Sequence, residues 1–148
     1  MWVVTHVLTG SALAAALAAA PGGAWPWWAV LTAVLLLHLL LDLVPHWDYT
    51  ETTRTALFGS LDFVASLAAF LAVWRLLGYP FASAFLGLAS GAPDWDVLVA
   101  LLRGPRARKL FPSHWDRFPH GRAGRPWGIG VQAALMAASV AVVLALRP

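Results

Sequence analysis

Long runs of Leu, Val, Ala and Phe alternate with short polar breaks along almost the whole chain. Five apolar segments stand out: Trp2–Ala20, Trp25–Val44, Leu57–Leu77, Phe81–Leu102 and Trp127–Leu146. Each approaches the roughly 20 residues that a helix needs to cross about 30 Å of hydrocarbon. Gly and Pro punctuate the junctions at 21–26, 45, 78–80, 104–105 and 126–130. The pattern predicts an all-α fold: an integral membrane bundle of about five transmembrane helices, in one domain over 1–148. The fourth segment is expected to break. Pro93 disfavours helix at the residue before it, and Asp94 and Asp96 would be costly in lipid. The expectation is a short helix over 81–92 that ends at Pro93, then a separate interfacial turn of helix over Val97–Arg103.

Composition supports a lipid-facing chain. Only 11% of the 148 residues are charged, against roughly 25% in a soluble domain, and the mean hydropathy is +0.71. There is no Cys, which excludes disulfides, thiolate metal ligands and thiol nucleophiles. Seven of the ten Lys and Arg fall in the loop over 103–126. That tract predicts anionic lipid headgroups as neighbours and no nucleic acid. With Arg54 in the loop at 45–57, it also predicts that the N-terminus and both loops lie on the cytoplasmic side of the membrane. The nine Trp, at 2, 25, 27, 28, 47, 74, 95, 115 and 127, all fall near segment ends, as an interfacial aromatic belt requires. Residues 1–20 also carry a small-residue stretch, "ALAAAPGG", of the kind cleaved from signal peptides. They lack the positive start such peptides have, so a retained first helix is expected.

The polar residues then change the picture. His6 lies near the start of the first segment, and His38 and Asp42 lie one turn apart near the end of the second. His46 and Asp48 follow at its exit, Asp62 is near the start of the third, and Asp94 and Asp96 close the fourth. His114, Asp116 and His120 sit in the basic loop. On the predicted topology all five His and all six Asp gather at one membrane face. Six carboxylates so placed repel one another unless cations sit among them.

Three patterns sharpen this. The i, i+4 pair His38 and Asp42 shares one helix face; it fits either an outer support for metal ligands or a structural hydrogen bond. "PHWD" and "PDWD" each place two ligand types two apart after a Pro, and extended backbone there would aim both at one ion. In the loop "SHWDRFPHG", His114 is the expected ligand, and Asp116 or His120 is a ligand or the general acid/base. Arg117, Arg122 and Arg125 beside them suit bidentate capture of a phosphate.

A repeat is also legible. "HVLTGSALAAALA" from His6 aligns without gaps on "DFVASLAAFLAV" from Asp62. The two hairpins, about 2–48 and about 58–96, then end in Pro-x-Trp-Asp, before the basic loop 103–126 and the last helix 127–147. A duplicated hairpin would array His6, His46, Asp48, Asp62, Asp94, Asp96 and His114 around a site for more than one metal ion.

His6, Pro93-Asp94-Trp95-Asp96 and Ser113-His114 resemble the family of small bacterial inner-membrane proteins described as membrane-bound metal-dependent hydrolases. More distantly, the His/Asp set is similar to that of zinc-dependent phospholipases C. The family's His directly after the second Asp is Val97 here. The resemblance implies metal binding. A His/Asp set without Cys suits Zn²⁺, Mn²⁺ or Fe, and an all-oxygen pair suits Mg²⁺. The expected function is a metal-dependent hydrolase of a phospholipid or lipid-linked phosphate. The alternatives are a non-catalytic membrane scaffold, packing through small-residue faces and able to homo-oligomerise, and a metal or proton carrier.

Overall fold

The computed structural model describes residues 1–22, 25–103 and 108–148, so Arg106 of the basic tract lies outside the described residues. The described residues form six α-helices and no strand: α1 (Val3–Ala19), α2 (Trp27–Leu43), α3 (Thr55–Leu71), α4 (Phe81–Ser90), α5 (Asp94–Arg103) and α6 (Trp127–Ala145). A π-helical stretch, Ala72–Leu76, extends α3. Gly78, at φ +77°, then turns the chain, a conformation that suits Gly because it has no Cβ. Two helices, Thr55–Leu76 and Trp127–Ala145, are long and apolar enough to cross a membrane.

Local chemistry explains the boundaries. Val44 is held extended (φ −70°, ψ 136°) because Pro45 follows it, and α2 ends there. The break in the fourth apolar segment falls at 91–93, but its form differs from the expected one. Pro93 immediately precedes α5, where its missing N–H leaves no helical bond unmade. The helix therefore begins at Asp94 rather than at Val97, and "PDWD" is helical instead of extended.

Helix α1 is the centre of the bundle and packs on α2, α3, α4 and α6. Its contact with α4 is made of small residues. A Cβ on Gly10 would lie 2.3 Å from Ser90 Oγ, and one on Gly87 would lie 2.0 Å from Ser11 Oγ. The two backbones approach as closely as Gly and Ser allow, as in small-residue helix pairs in membranes. Ser90 Oγ donates to the carbonyl of His6 across this crossing.

The first turn of α1 has no side-chain cap of its own. Asp62 of α3 supplies one, accepting from Val3 N at 2.7 Å and Val4 N at 2.9 Å. Tyr49 Oη donates to the same carboxylate at 3.0 Å. Hydrogen bonds to a charged group contribute about 1.5–3 kcal/mol each. Asp62→Ala should therefore destabilise the protein by about 2–4 kcal/mol, read as a lower unfolding midpoint in detergent. An unchanged midpoint would show that α1 starts without this cap.

Candidate metal centre

Five side chains converge one helical turn inside the bundle's end. His6 comes from α1, His38 and Asp42 from α2, Asp94 from the start of α5, and His114 from the turn after α5. His6, His38 and Asp42 are fully buried, and His114 is 8% exposed. The imidazole Nε2 atoms of His6, His38 and His114 face the Asp42 and Asp94 carboxylates at six N···O distances between 3.2 and 3.9 Å. The rings of His6 and His38 stack at 3.8 Å.

The outer nitrogens of two of these rings are already committed. His38 Nδ1–H donates to the Ser90 carbonyl at 2.7 Å. His114 Nδ1–H donates to Asp96 Oδ1 at 2.6 Å. In the neutral ring a protonated Nδ1 leaves a lone pair on Nε2. Both lone pairs are thus aimed at carboxylate oxygens, which also carry only lone pairs. His6 Nε2, His38 Nε2, both oxygens of Asp42 and Asp94 Oδ2 are buried with no hydrogen-bond partner.

Distances separate two explanations for this arrangement. Charged imidazolium–carboxylate hydrogen bonds would close to about 2.7–2.9 Å. Ligands about 2.0–2.2 Å from one ion stand about 3.0–3.6 Å apart from each other. The three shortest distances, 3.2–3.3 Å, fall in the second range, and none of the six falls in the first. These buried His and Asp clusters could hold a metal ion, as two overlapping groups, His6–His38–Asp94 and His38–Asp42–His114, and imidazole nitrogens with carboxylates are donors for Zn²⁺, Mn²⁺ or Fe. For His114, burial alone would lower the pKa, yet the hydrogen bonds and charges of Asp94 and Asp96 outweigh it and the net shift is upward. A proton at that position is what a bound cation would replace.

The residues singled out in the sequence divide clearly on this geometry. His6, Asp94 and His114 stand in the cluster. His38 and Asp42, read there as outer support or structural glue, face its interior. Asp96 takes the outer place, accepting from His114 Nδ1 and from the backbone N–H groups of Leu110 and Phe111. A carboxylate behind a ligating imidazole fixes its tautomer and orientation. Asp62 is the cap of α1. Asp48 faces its own turn, where Oδ1 accepts from Thr50 N and Oγ1 at 2.8 and 2.7 Å. Asp116 is exposed on the loop. The aligned hairpins consequently place matched residues in unlike roles: His6 in the cluster, Asp62 capping a helix.

His46 and His120 form a neighbouring group. Their Nε2 atoms lie 3.1 Å apart, and with Asp42 they offer three ligand atoms within 4.8 Å of one another. Burial holds the His46 pKa down at about 4 and also lowers that of His120, so both rings are neutral near pH 7. Beside His46 is a groove of about 400 Å³ lined by Trp47, Asp48, Arg122 and Arg125 among others. Arg125 lies over the Trp47 ring at 3.8 Å. Arg117 stacks instead on Trp115 at 4.8 Å.

Glycine fixes the loop that carries His120. Gly121 N donates to the Asp42 carbonyl at 2.7 Å, His46 N to the Gly121 carbonyl at 2.8 Å, and Ala123 N to the His46 carbonyl at 2.8 Å. A Cβ on Gly121 would meet the Leu43 carbonyl oxygen at 2.2 Å, so only Gly fits. Against models of protein families, curated proteins and solved structures, the chain matches none.

Proposed function

We propose that this protein is a multi-pass membrane hydrolase that depends on a divalent metal and acts on a phospholipid or another lipid-linked phosphate. The observation that carries the reading is the convergence of four buried His and Asp side chains and the half-buried Asp94 at one end of an apolar bundle, next to an arginine-lined groove.

The surface favours a membrane setting. Large apolar side chains are exposed on several helices, among them Leu40, Leu61, Val64, Phe85 and Leu144, and a soluble monomer rarely shows so much. The 17-residue helices α1 and α2 are about 25 Å long at 1.5 Å per residue, close to the hydrocarbon thickness. Trp25, Trp27 and Trp28 are exposed at one end of the bundle and Trp95, Trp115 and Trp127 at the other, where headgroup interfaces would fall. By the positive-inside rule, the basic tract favours the cytoplasmic leaflet of a bacterial inner membrane for the metal end.

His6, His38, His114, Asp42 and Asp94 would hold the metal, with Zn²⁺ the first choice and Mn²⁺ or Fe next. A bound divalent cation supplies Lewis acidity and a water of lowered pKa. The chain's own residues do the rest. Asp96 and the Ser90 carbonyl orient their imidazoles. Arg122 and Arg125 bind and position the phosphate.

The test uses the purified full chain in vesicles of mixed bacterial phospholipids. Phosphate-ester cleavage should vanish on chelation, return with Zn²⁺ or Mn²⁺, and fall at least a hundredfold in Asp94→Asn. Metal bound without cleavage of any lipid would replace this reading with metal binding or carriage. A metal-free, folded wild type would leave a structural scaffold.

A further inference from the structure

The rings of His46 and His120 meet edge to face, 4.8 Å between centroids. His46 Nδ1 is 2.7 Å from the Val44 carbonyl. A carbonyl only accepts, so the proton is on Nδ1 and Nε2 carries a lone pair. The Nε2 of His120 faces it at 3.1 Å. Two imidazole nitrogens about 2.0–2.1 Å from one ion are separated by about this distance.

The third member of the group is Asp42, which is also a member of the buried cluster. Both of its oxygens are buried without a hydrogen bond, and the Met1 ammonium lies 3.7 Å from Oδ1. A carboxylate with no hydrogen bond on either oxygen, within reach of two sets of imidazoles, is the arrangement of a bridging ligand. The positions are built in rather than incidental. Asp42 and His120 are tied by the Gly121 N–H bond to the Asp42 carbonyl, and His46 is tied to the same loop on both sides of its peptide.

The geometry points to a second cation site made by His46, His120 and Asp42, with Asp42 bridging it to the buried centre. Its open side faces the groove of Arg122 and Arg125, which fits a phosphate oxygen of the substrate. The cation site stands on the coordinates alone, and only its phosphate partner rests on the proposed hydrolase reading. Two cations sharing a carboxylate, one of them facing a basic groove, is a suitable clamp for a phosphoryl group.

The experiment counts ions. Full-length protein in detergent micelles is stripped with chelator and reloaded with Mn²⁺. Wild type should bind two Mn²⁺ per chain and give the electron paramagnetic resonance spectrum of an exchange-coupled pair. His120→Ala and His46→Ala should each bind about one and give the six-line signal of an isolated ion. His120 is on a loop and only partly buried, and circular dichroism checks that each variant is folded. One Mn²⁺ in wild type, unchanged in His120→Ala, overturns the second site and leaves the buried centre standing. Two ions without coupling overturn the bridging role of Asp42, and no bound Mn²⁺ at all overturns both centres. Inorganic phosphate should alter the wild-type spectrum and should act at least tenfold more weakly in Arg125→Gln. No effect of phosphate, or an equal effect in that variant, overturns the groove's part alone.

Discussion

Asp42→Asn should abolish metal binding at the candidate centre while leaving the protein folded. The side chain is fully buried and faces His6, His38 and His114 at 3.3, 3.2 and 3.7 Å. Asn has nearly the same volume, so packing is kept. The change removes the negative charge and turns one ligand oxygen into an N–H₂ donor, which can satisfy the Nε2 lone pair of His38. Removing an outer-shell partner already costs roughly 10–100-fold in metal affinity, and a carboxylate inside the cluster should cost more. The metal content of the purified variant should fall below about a tenth of wild type. Thermal unfolding gives a second reading with a definite sign. A ligand that binds only the folded state at 100 times its Kd stabilises it by about 2.7 kcal/mol. Wild type should gain this on metal addition and Asp42→Asn should gain nothing. The gain is read within each protein, metal-bound against metal-free, because the Met1 ammonium 3.7 Å from Asp42 Oδ1 also loses its partner in the variant. A structural ion-pair network predicts no metal in wild type and no gain on metal addition. Wild-type metal content in Asp42→Asn would end the assignment.

The sequence carried the helices well and the inner arrangement of the site less well. Apolar runs bounded by Gly and Pro gave α1, α2, α3 and α6 to within a few residues, because burial or lipid contact along a whole helix leaves a continuous signal. The break at Pro93 was legible for the same local reason. Its consequence was not, since a Pro that ends one helix and a Pro that begins the next read alike in sequence. Reading "PDWD" as extended aimed Asp94 and Asp96 at one ion. In the helix they diverge, and Asp96 serves His114 instead. The levels of His38 and Asp42 depend on where α1 starts and how close α4 comes to it. His6 lies one turn inside α1, so the cluster sits at the depth of His38 rather than at the helix ends. The role of Ser90 had no signal at all, because its carbonyl is what holds His38 and every residue has a carbonyl. Asp62 and His6 aligned in the repeat, yet the alignment could not say that one would cap the helix carrying the other.

Gly10→Val tests the crossing on which that depth depends. A Cβ at residue 10 would lie 2.3 Å from Ser90 Oγ and 2.6 Å from Ser90 Cβ, so α1 and α4 must separate. Overpacking of this kind costs about 1–3 kcal/mol. The separation also breaks the bond from Ser90 Oγ to the His6 carbonyl, adding about 1 kcal/mol. The unfolding midpoint should therefore drop by an amount equivalent to about 2–4 kcal/mol. Metal retention should fall with it, because Ser90 moves with α4 and its carbonyl orients His38. Gly130→Val on α6 is the matched control: nothing lies within 4 Å of a Cβ there, and Val is no worse than Gly within a helix. That variant should keep the wild-type midpoint and metal content. If Gly10→Val did the same, α1 and α4 would not be held at the separation the Gly and Ser contacts define. The centre would then owe its geometry to the loop and α2 alone.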